Sequence, residues 1–185
     1  MRRIAVGLFA LSALLWSASG TASAHTVKAS FEYHVGDALI QSFGAPVGNQ
    51  AMASNGDVVT IVATGTFDTV AHTADGGGTF AHHVAATGQT ITGTFVTSGL
   101  ISFQSYGSGA AEGLPASLYG GKLMLSIVAT PDANPSLHLA ATLTVECELG
   151  TPPAGTSEGI RVNVHDVINF NKTVPESGEN VYVLL

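Results

Sequence analysis

Residues 137–149 read Leu-His-Leu-Ala-Ala-Thr-Leu-Thr-Val-Glu-Cys-Glu-Leu, and their alternation is the clearest structural signal in the chain. Every odd-numbered residue in this segment is apolar, whereas most even-numbered residues are polar. A β-strand with one buried face produces a period of two, because successive side chains point to opposite faces. The segment therefore predicts a strand whose leucine, valine and cysteine side chains face a core.

The same alternation recurs along most of the chain. β-Branched residues are dense and strong helix formers are scarce, a composition typical of strands. Clusters of turn-forming residues at 54–57, 98–99 and 131–135 separate the alternating runs. Residues 37–43 alone predict a helical turn, and residues 107–121 predict a long surface loop. The further predicted strands cover residues 27–35, 58–67, 67–74, 78–86, 90–97, 100–106, 123–129, 160–165 and 181–185.

These runs predict a single all-β domain over residues 25–185. We expect an antiparallel β-barrel or β-sandwich of about 8–10 strands. The predicted core collects the inward-facing residues of the runs: Phe31, Ile61, Phe67, Phe80, Phe95, Phe103, Leu125, Ile127, Leu139, Leu143, Val145, Cys147 and Val162.

One strand pairing follows from the turn signal Asp75-Gly76. If these two residues form a hairpin turn, strands 67–74 and 78–86 pair and place His83 opposite Asp68 on the outer face. His72 shares that face at about 13 Å from His83, and His82 points to the other face. This geometry predicts solvated or cross-strand-paired histidines in the hairpin.

The tripeptide Gly-Thr-Phe begins at Gly65, Gly78 and Gly93, in steps of 13 and 15 residues. Such steps are typical of an up-and-down meander in which glycine marks a close approach and phenylalanine packs inward. The first step resembles the glycine-rich strand pairs of dirigent-type barrels. That resemblance covers few residues and implies no catalytic set.

Charge and composition exclude several classes of protein. The chain has six basic residues, two of them Arg2 and Arg3, against thirteen acidic ones, so residues 25–185 carry a formal net charge of −9. This sign is wrong for a nucleic-acid-binding protein, and 45% hydrophobic content is too high for a disordered chain. No apolar run after residue 24 reaches the ~18 residues of a membrane span. Cys147 is the lone cysteine and occupies an apolar position, which predicts a buried, unreactive thiol.

The first 24 residues have the three parts of a secretory signal peptide. Arg2 and Arg3 precede an apolar run at residues 4–16, and Ala22 and Ala24 form a small-residue cleavage site. We therefore expect cleavage between Ala24 and His25, and a secreted protein that is extracellular or periplasmic.

Cleavage at this position would give His25 a free α-amine beside its imidazole, and these two nitrogens can chelate one Cu(II) ion. In this single position the chain resembles copper-dependent polysaccharide monooxygenases and some periplasmic copper carriers. A second histidine ligand would be His34, His138 or His165, each at a polar position of its predicted strand. Because no third ligand can be identified, we expect weak copper binding at most and no required cofactor.

No catalytic residue emerges from the motifs. The chain lacks a Gly-x-Ser-x-Gly nucleophile elbow and a phosphate-binding loop, and the pattern predicts that Glu146 and Glu148 lie on a solvated strand face. Our main prediction is a secreted, non-catalytic domain that binds a small apolar or carbohydrate ligand, or a surface partner. The alternatives are an N-terminal-histidine copper protein, either carrier or oxidase, and a barrel cyclase or isomerase that acts by positioning. An apolar cavity would favour the ligand-binding domain or the cyclase or isomerase over a purely structural role.

Overall fold

The computed structural model of the protein describes residues 28–185, which form one antiparallel β-sheet of eleven strands curled into a ring. A one-turn helix, α1 (Ala38–Ser42), follows the first strand, and a 3-10 turn (Gly109–Glu112) follows the fifth. The strands are β1 (Ser30–Val35), β2 (Asn49–Met52), β3 (Val58–Asp68), β4 (Thr73–His83), β5 (Thr90–Ser108), β6 (Leu118–Pro131), β7 (Leu139–Cys147), β8 (Gly159–Val164), β9 (Ile168–Phe170), β10 (Lys172–Thr173) and β11 (Asn180–Leu184).

Six strands close the ring through hydrogen-bonded pairs. β3 pairs with β4, β4 with β5, and β5 with β6. β11 then joins β6 to β1, and β1 returns to β3. Beyond this ring the sheet continues through β7, β8 and β9 on one side and through β2 and β10 on the other, and β2 contacts β8. The all-β antiparallel prediction is therefore confirmed, with one strand more than the upper expected number.

The core fills the inside of the curled sheet. At one end the rings of Phe31, Phe67, Phe103 and Tyr182 pack with centroids between 4.7 and 5.9 Å apart. Three predicted core residues are half-buried and pack against the core: Phe80, Phe103 and Leu139. The other predicted core residues are buried: Phe31, Ile61, Phe67, Phe95, Leu125, Ile127, Leu143, Val145, Cys147 and Val162.

The predicted hairpin around Asp75-Gly76 is wrong. β4 runs through both residues, and β3 connects to it through residues 69–72, so Asp68 pairs with Thr73. His83 pairs with Val58 at the opposite end of the strand pair and is therefore no neighbour of Asp68.

Asp68 explains where the chain turns. Its carboxylate accepts hydrogen bonds from the N–H groups of Val70 and Ala71 at 2.7 and 2.6 Å, which closes the turn with a side chain in place of a Gly pair. His72 completes the connection with a φ of 55°. The repeated Gly-Thr-Phe segments do form the predicted meander, on β3, β4 and β5.

β5 also departs from the predicted boundaries. Residues 90–97 and 100–106 belong to one strand of 19 residues, without the predicted turn at 98–99. Instead, the register with β6 shifts between Thr97 and Gly99, between Leu100 and Ser102, and between Ser105 and Gly107. Such bulges bend a strand and let it curl with the sheet. Because β5 continues to Ser108 and β6 begins at Leu118, the irregular connection is shorter than the predicted 107–121 loop.

The helical turn predicted at 37–43 is confirmed as α1. The carboxylate of Asp37 caps it by accepting hydrogen bonds from the N–H groups of Leu39 and Ile40. Within residues 28–185, no helix is long and apolar enough to cross a membrane. The predicted signal peptide, residues 1–24, and His25 lie outside the described residues.

Candidate functional site

The end of the curled sheet opposite the aromatic cluster encloses an apolar cavity of about 260 Å³. The cavity lies where β3, β5 and β7 begin and where β4, β6 and β8 end, because antiparallel neighbours bring alternate termini to one end. Its lining consists of inward-facing side chains: Val59, Ile61, Phe80, His82, Ile91, Phe95, Ile127, Ala129, Pro131, Leu137, Leu139, Ala141, Val162, Val164, Val167, Ile168 and Phe170.

Strand register explains why His82 joins this lining. Val59 on β3 and Ile91 on β5 lie directly opposite His82 in the two flanking strand pairs. Residues opposite each other in an antiparallel pair share a face, so His82 points inward with them. Phe80, two residues earlier on β4, lines the same wall.

The imidazole of His82 is paired with a buried carboxylate. Its Nε2 lies 2.8 Å from Oδ2 of Asp57, whose other carboxylate oxygen accepts a hydrogen bond from the N–H of Ala85 at 3.0 Å. The hydrogen bond with His82, followed by the one from Ala85, lowers the pKa of Asp57 below its ordinary value. Asp57 is therefore a carboxylate at neutral pH and holds the proton of His82 on Nε2.

Packing also fixes the orientation of the imidazole. The ring of Phe170 meets it edge-on, with centroids 5.1 Å apart and planes at 84°. Phe170 is itself buried on β9. His82 is thus held between a carboxylate and an aromatic ring at the wall of the cavity.

Three exposed apolar side chains mark the mouth of the cavity. Ile91 and Leu137 are each 40% exposed and Val167 is 63% exposed, although all three belong to the lining. Large apolar side chains grouped at an opening favour entry of an apolar molecule.

The histidines that the sequence offered as second copper ligands each have a different neighbour in the structure. His34, on β1, lies 2.7 Å from the Asp37 carboxylate that caps α1, and its Nε2 lies 3.6 Å from Glu32. His138 contacts Thr130, and His165 contacts Thr142, on exposed surfaces of β6, β7 and β8.

Residues 28–185 contain no group of three or more His, Cys, Asp or Glu arranged to hold a metal ion. Since His25 lies outside that range, the copper hypothesis stays a prediction of the sequence.

Glu146 does not lie on a solvated face as predicted. It is buried, accepts a hydrogen bond from the Tyr106 hydroxyl at 2.8 Å and pairs with Arg161 at 2.8 Å. Glu148, two residues further on, is exposed. Tyr106, Glu146 and Arg161 come from β5, β7 and β8, so this network ties three strands together.

The sequence placed His82 on the face opposite His83 but did not pair it with Asp57. Asp57 belongs to a turn cluster, where aspartate is common for local reasons, and it is separated from His82 by 25 residues. The available signal was parity: His82 alternates in step with Phe80, a predicted core residue, and so belongs to the inner face.

No protein-family model, curated protein or solved structure matches the chain. Function must therefore be inferred from the geometry of the cavity.

Proposed function

We propose that the protein binds a small apolar molecule in the cavity at the open end of the curled sheet. The observation that carries this proposal is the composition of the cavity lining. Among the described residues that line the cavity, His82 alone has a polar side chain. Ligand sites combine mostly apolar walls with a few placed polar groups, and this cavity has that composition.

The volume sets the size of the ligand. A cavity of about 150 Å³ accommodates benzene, so a volume of about 260 Å³ suits roughly ten non-hydrogen atoms inside the walls. Alkylbenzenes from toluene to butylbenzene cover this range. A ligand that binds only the folded state raises the free energy of unfolding, by about 2.7 kcal/mol at a hundred times its Kd.

The experiment is a titration of these alkylbenzenes, followed by calorimetry and by the melting temperature. We expect saturable binding that the substitution Ala129→Phe abolishes, since Ala129 lines the cavity and the added ring occupies it. Ala140→Phe is the matched control, because Ala140 is exposed on the outer face of β7. If no alkylbenzene binds, or if Ala129→Phe binds as well as the wild type, the proposal is wrong.

A second candidate function is a cyclase or isomerase that acts mainly by positioning. The pairing of His82 with Asp57 favours it, because a carboxylate that orients a histidine is a common way to prepare a general base. Such an enzyme also needs donors that stabilise charge developing on the substrate, and the lining side chains offer none beyond His82. Recovery of the ligand unchanged after incubation supports simple binding, whereas a rearranged product supports the enzyme.

We also propose that the protein is exported after cleavage between Ala24 and His25. The support is the charged, apolar and small-residue pattern of the first 24 residues. Mass spectrometry of the exported protein should find His25 as the first residue, and an intact residue 1 on exported protein would contradict the proposal.

A further inference from the structure

The cavity lining contains one polar side chain that a ligand can address, that of His82. Nε2 of His82 is engaged by Asp57, and within residues 28–185 no protein atom hydrogen-bonds to Nδ1. The remaining lining side chains are aliphatic, aromatic or proline. Nδ1 of His82 is thus the one side-chain nitrogen of the lining that has no protein partner within residues 28–185.

Asp57 decides the hydrogen-bonding character of that atom. A carboxylate only accepts hydrogen bonds, so Nε2 carries the ring proton that it receives. In the neutral imidazole the other nitrogen then has a lone pair and no proton, and it acts as an acceptor. Asp57 is buried immediately before β3 and accepts a hydrogen bond from Ala85, so the orientation does not depend on an exposed, mobile partner.

We propose that the site takes a neutral apolar alcohol or phenol whose hydroxyl donates a hydrogen bond to Nδ1 of His82. This inference rests on the proposed function and adds the chemical class of the ligand. A hydroxyl is the group that supplies a donor while the rest of the molecule remains apolar. An anionic ligand is disfavoured, because the lining has no Lys or Arg side chain and the charge closest to His82 is the Asp57 carboxylate.

Matched pairs of ligands test this class directly. 4-Propylphenol and 4-propyltoluene have the same shape and differ by a hydroxyl in place of a methyl group. In a wholly apolar cavity the phenol is penalised, because its hydroxyl leaves water without a new partner. A site that accepts the hydroxyl hydrogen bond offsets this penalty, and removal of the acceptor restores it.

We expect the ratio of the two affinities, phenol over hydrocarbon, to fall at least tenfold in His82→Phe. His83→Phe is the matched control and should leave the ratio unchanged, since His83 is the next residue on β4 and is exposed on the other face. Calorimetric titration of both ligands against the three proteins gives the ratio.

Nitrogen-15 spectra of the His82 ring provide a second measurement that needs no variant. In the free protein the spectra should show the proton on Nε2, and the Nδ1 resonance should move on addition of 4-propylphenol but not of 4-propyltoluene.

The outcomes separate the two proposals. Three results would overturn the inference: an equal affinity ratio in the wild type and in His82→Phe, a proton on Nδ1 in the free protein, or an Nδ1 resonance that does not move when the phenol binds. In each case, binding of the hydrocarbon would still support the proposed function. Absence of binding by both ligands overturns both.

Discussion

The interior position of Tyr33 depends on two glycines. Its hydroxyl lies 2.7 Å from Oγ1 of Thr97, and burial raises the pKa of the phenol, which keeps it neutral. Gly65 and Gly76 face each other across β3 and β4 beside this ring. A Cβ at Gly65 would lie 2.7 Å from the Tyr33 hydroxyl oxygen and would collide with the carbonyl oxygen of Asp75.

We therefore expect Gly65→Ala to destabilise the protein by about 1–3 kcal/mol, the usual cost of overpacking a tight interior. Urea denaturation measures the change. Gly99→Ala is the matched control, since a Cβ at Gly99 meets nothing within 4 Å, and it should change stability by no more than about 0.5 kcal/mol. Equal effects of the two substitutions would mean that Gly65 is not a packing constraint.

Cys147 provides a test of the folded core. The residue is 2% exposed, and burial, reinforced by the charge of Glu158, raises the pKa of its thiol well above the ordinary value. We expect a thiol reagent to modify Cys147 only after the protein unfolds in urea. Rapid stoichiometric labelling of the native protein at neutral pH would show that this part of the core opens readily.

At the scale of strands, Glu146 joins three elements that are not all neighbours in the sheet. The Tyr106 hydroxyl on β5 reaches across β6 to Glu146 on β7, and Arg161 on β8 approaches the same carboxylate from the other side. Both carboxylate oxygens are therefore used. Removal of the carboxylate leaves a hydroxyl and a guanidinium without this partner.

We expect Glu146→Ala to cost about 2 kcal/mol of unfolding free energy, the range for hydrogen bonds to charged groups. Glu148→Ala is the control, because its side chain is exposed on the same segment; it should stay within about 0.5 kcal/mol. Chemical denaturation of both variants gives the comparison. A cost for Glu146→Ala as small as that of the control would mean that the network is not stabilising.

The strands were predictable from the sequence because burial on one face leaves a period of two, as in residues 137–149. The turn at 69–72 was not predictable from turn composition, since Asp75, Gly76, Gly77 and Gly78 form a stronger turn signal. Here glycine allows neighbouring strands to approach closely. A Cβ at Gly77 would collide with the backbone of β5, and a Cβ at Gly78 would collide with the backbone of β3. Close approach of strands and tight turns call for the same residue, and only the three-dimensional pairing distinguishes them.

The candidate site was predictable only in outline. A barrel-like fold made a ligand cavity a reasonable expectation, and most of its apolar lining lies on strands that the pattern identified. The partnership of His82 with Asp57 arises from the register between β3 and β4, which the wrong hairpin assignment had shifted. The shift is ten residues, because Asp68 pairs with Thr73 and not with His83. An even shift keeps every side chain on its face, so it hid the polar pair without hiding the core.

For the whole molecule, Glu158 is a titrating group that joins two segments distant in the sequence. Its carboxylate accepts hydrogen bonds from the backbone N–H of Glu148 at 2.7 Å and from the backbone and side-chain N–H groups of Asn180 at 3.1 and 3.0 Å. It thereby ties the β7–β8 connection to β11, which closes the ring. Burial outweighs these hydrogen bonds and raises the pKa of Glu158 from 4.5 to about 7.

Two other carboxylates titrate in the opposite direction. Hydrogen bonds from His82 and Ala85 lower the pKa of Asp57, and hydrogen bonds from Ser30 and from turn N–H groups lower the pKa of Asp68. A carboxyl with a lowered folded pKa contributes stability above its unfolded pKa of 3.8 and loses it as the pH falls. Glu158 has a raised folded pKa, so its contribution is fully present below 4.5 and is lost as the pH rises towards 7.

These opposite signs predict a maximum in the free energy of unfolding at about pH 4–5 and a fall of about 3 kcal/mol by about pH 7.5. Urea denaturation at a series of pH values measures the curve.

The side chain introduced by Glu158→Gln cannot ionise, so this substitution should flatten the fall between about pH 4.5 and 7 even if it lowers stability at every pH. Glu148→Gln removes the charge of an exposed neighbour, which is the smallest cause of the raised Glu158 pKa, so it should keep most of the slope. Because the whole chain carries excess negative charge, some decline from general repulsion will remain in both variants. A slope that Glu158→Gln leaves intact, or stability that rises across this window, would show that the Glu158 carboxyl ionises in the folded protein near its ordinary pKa.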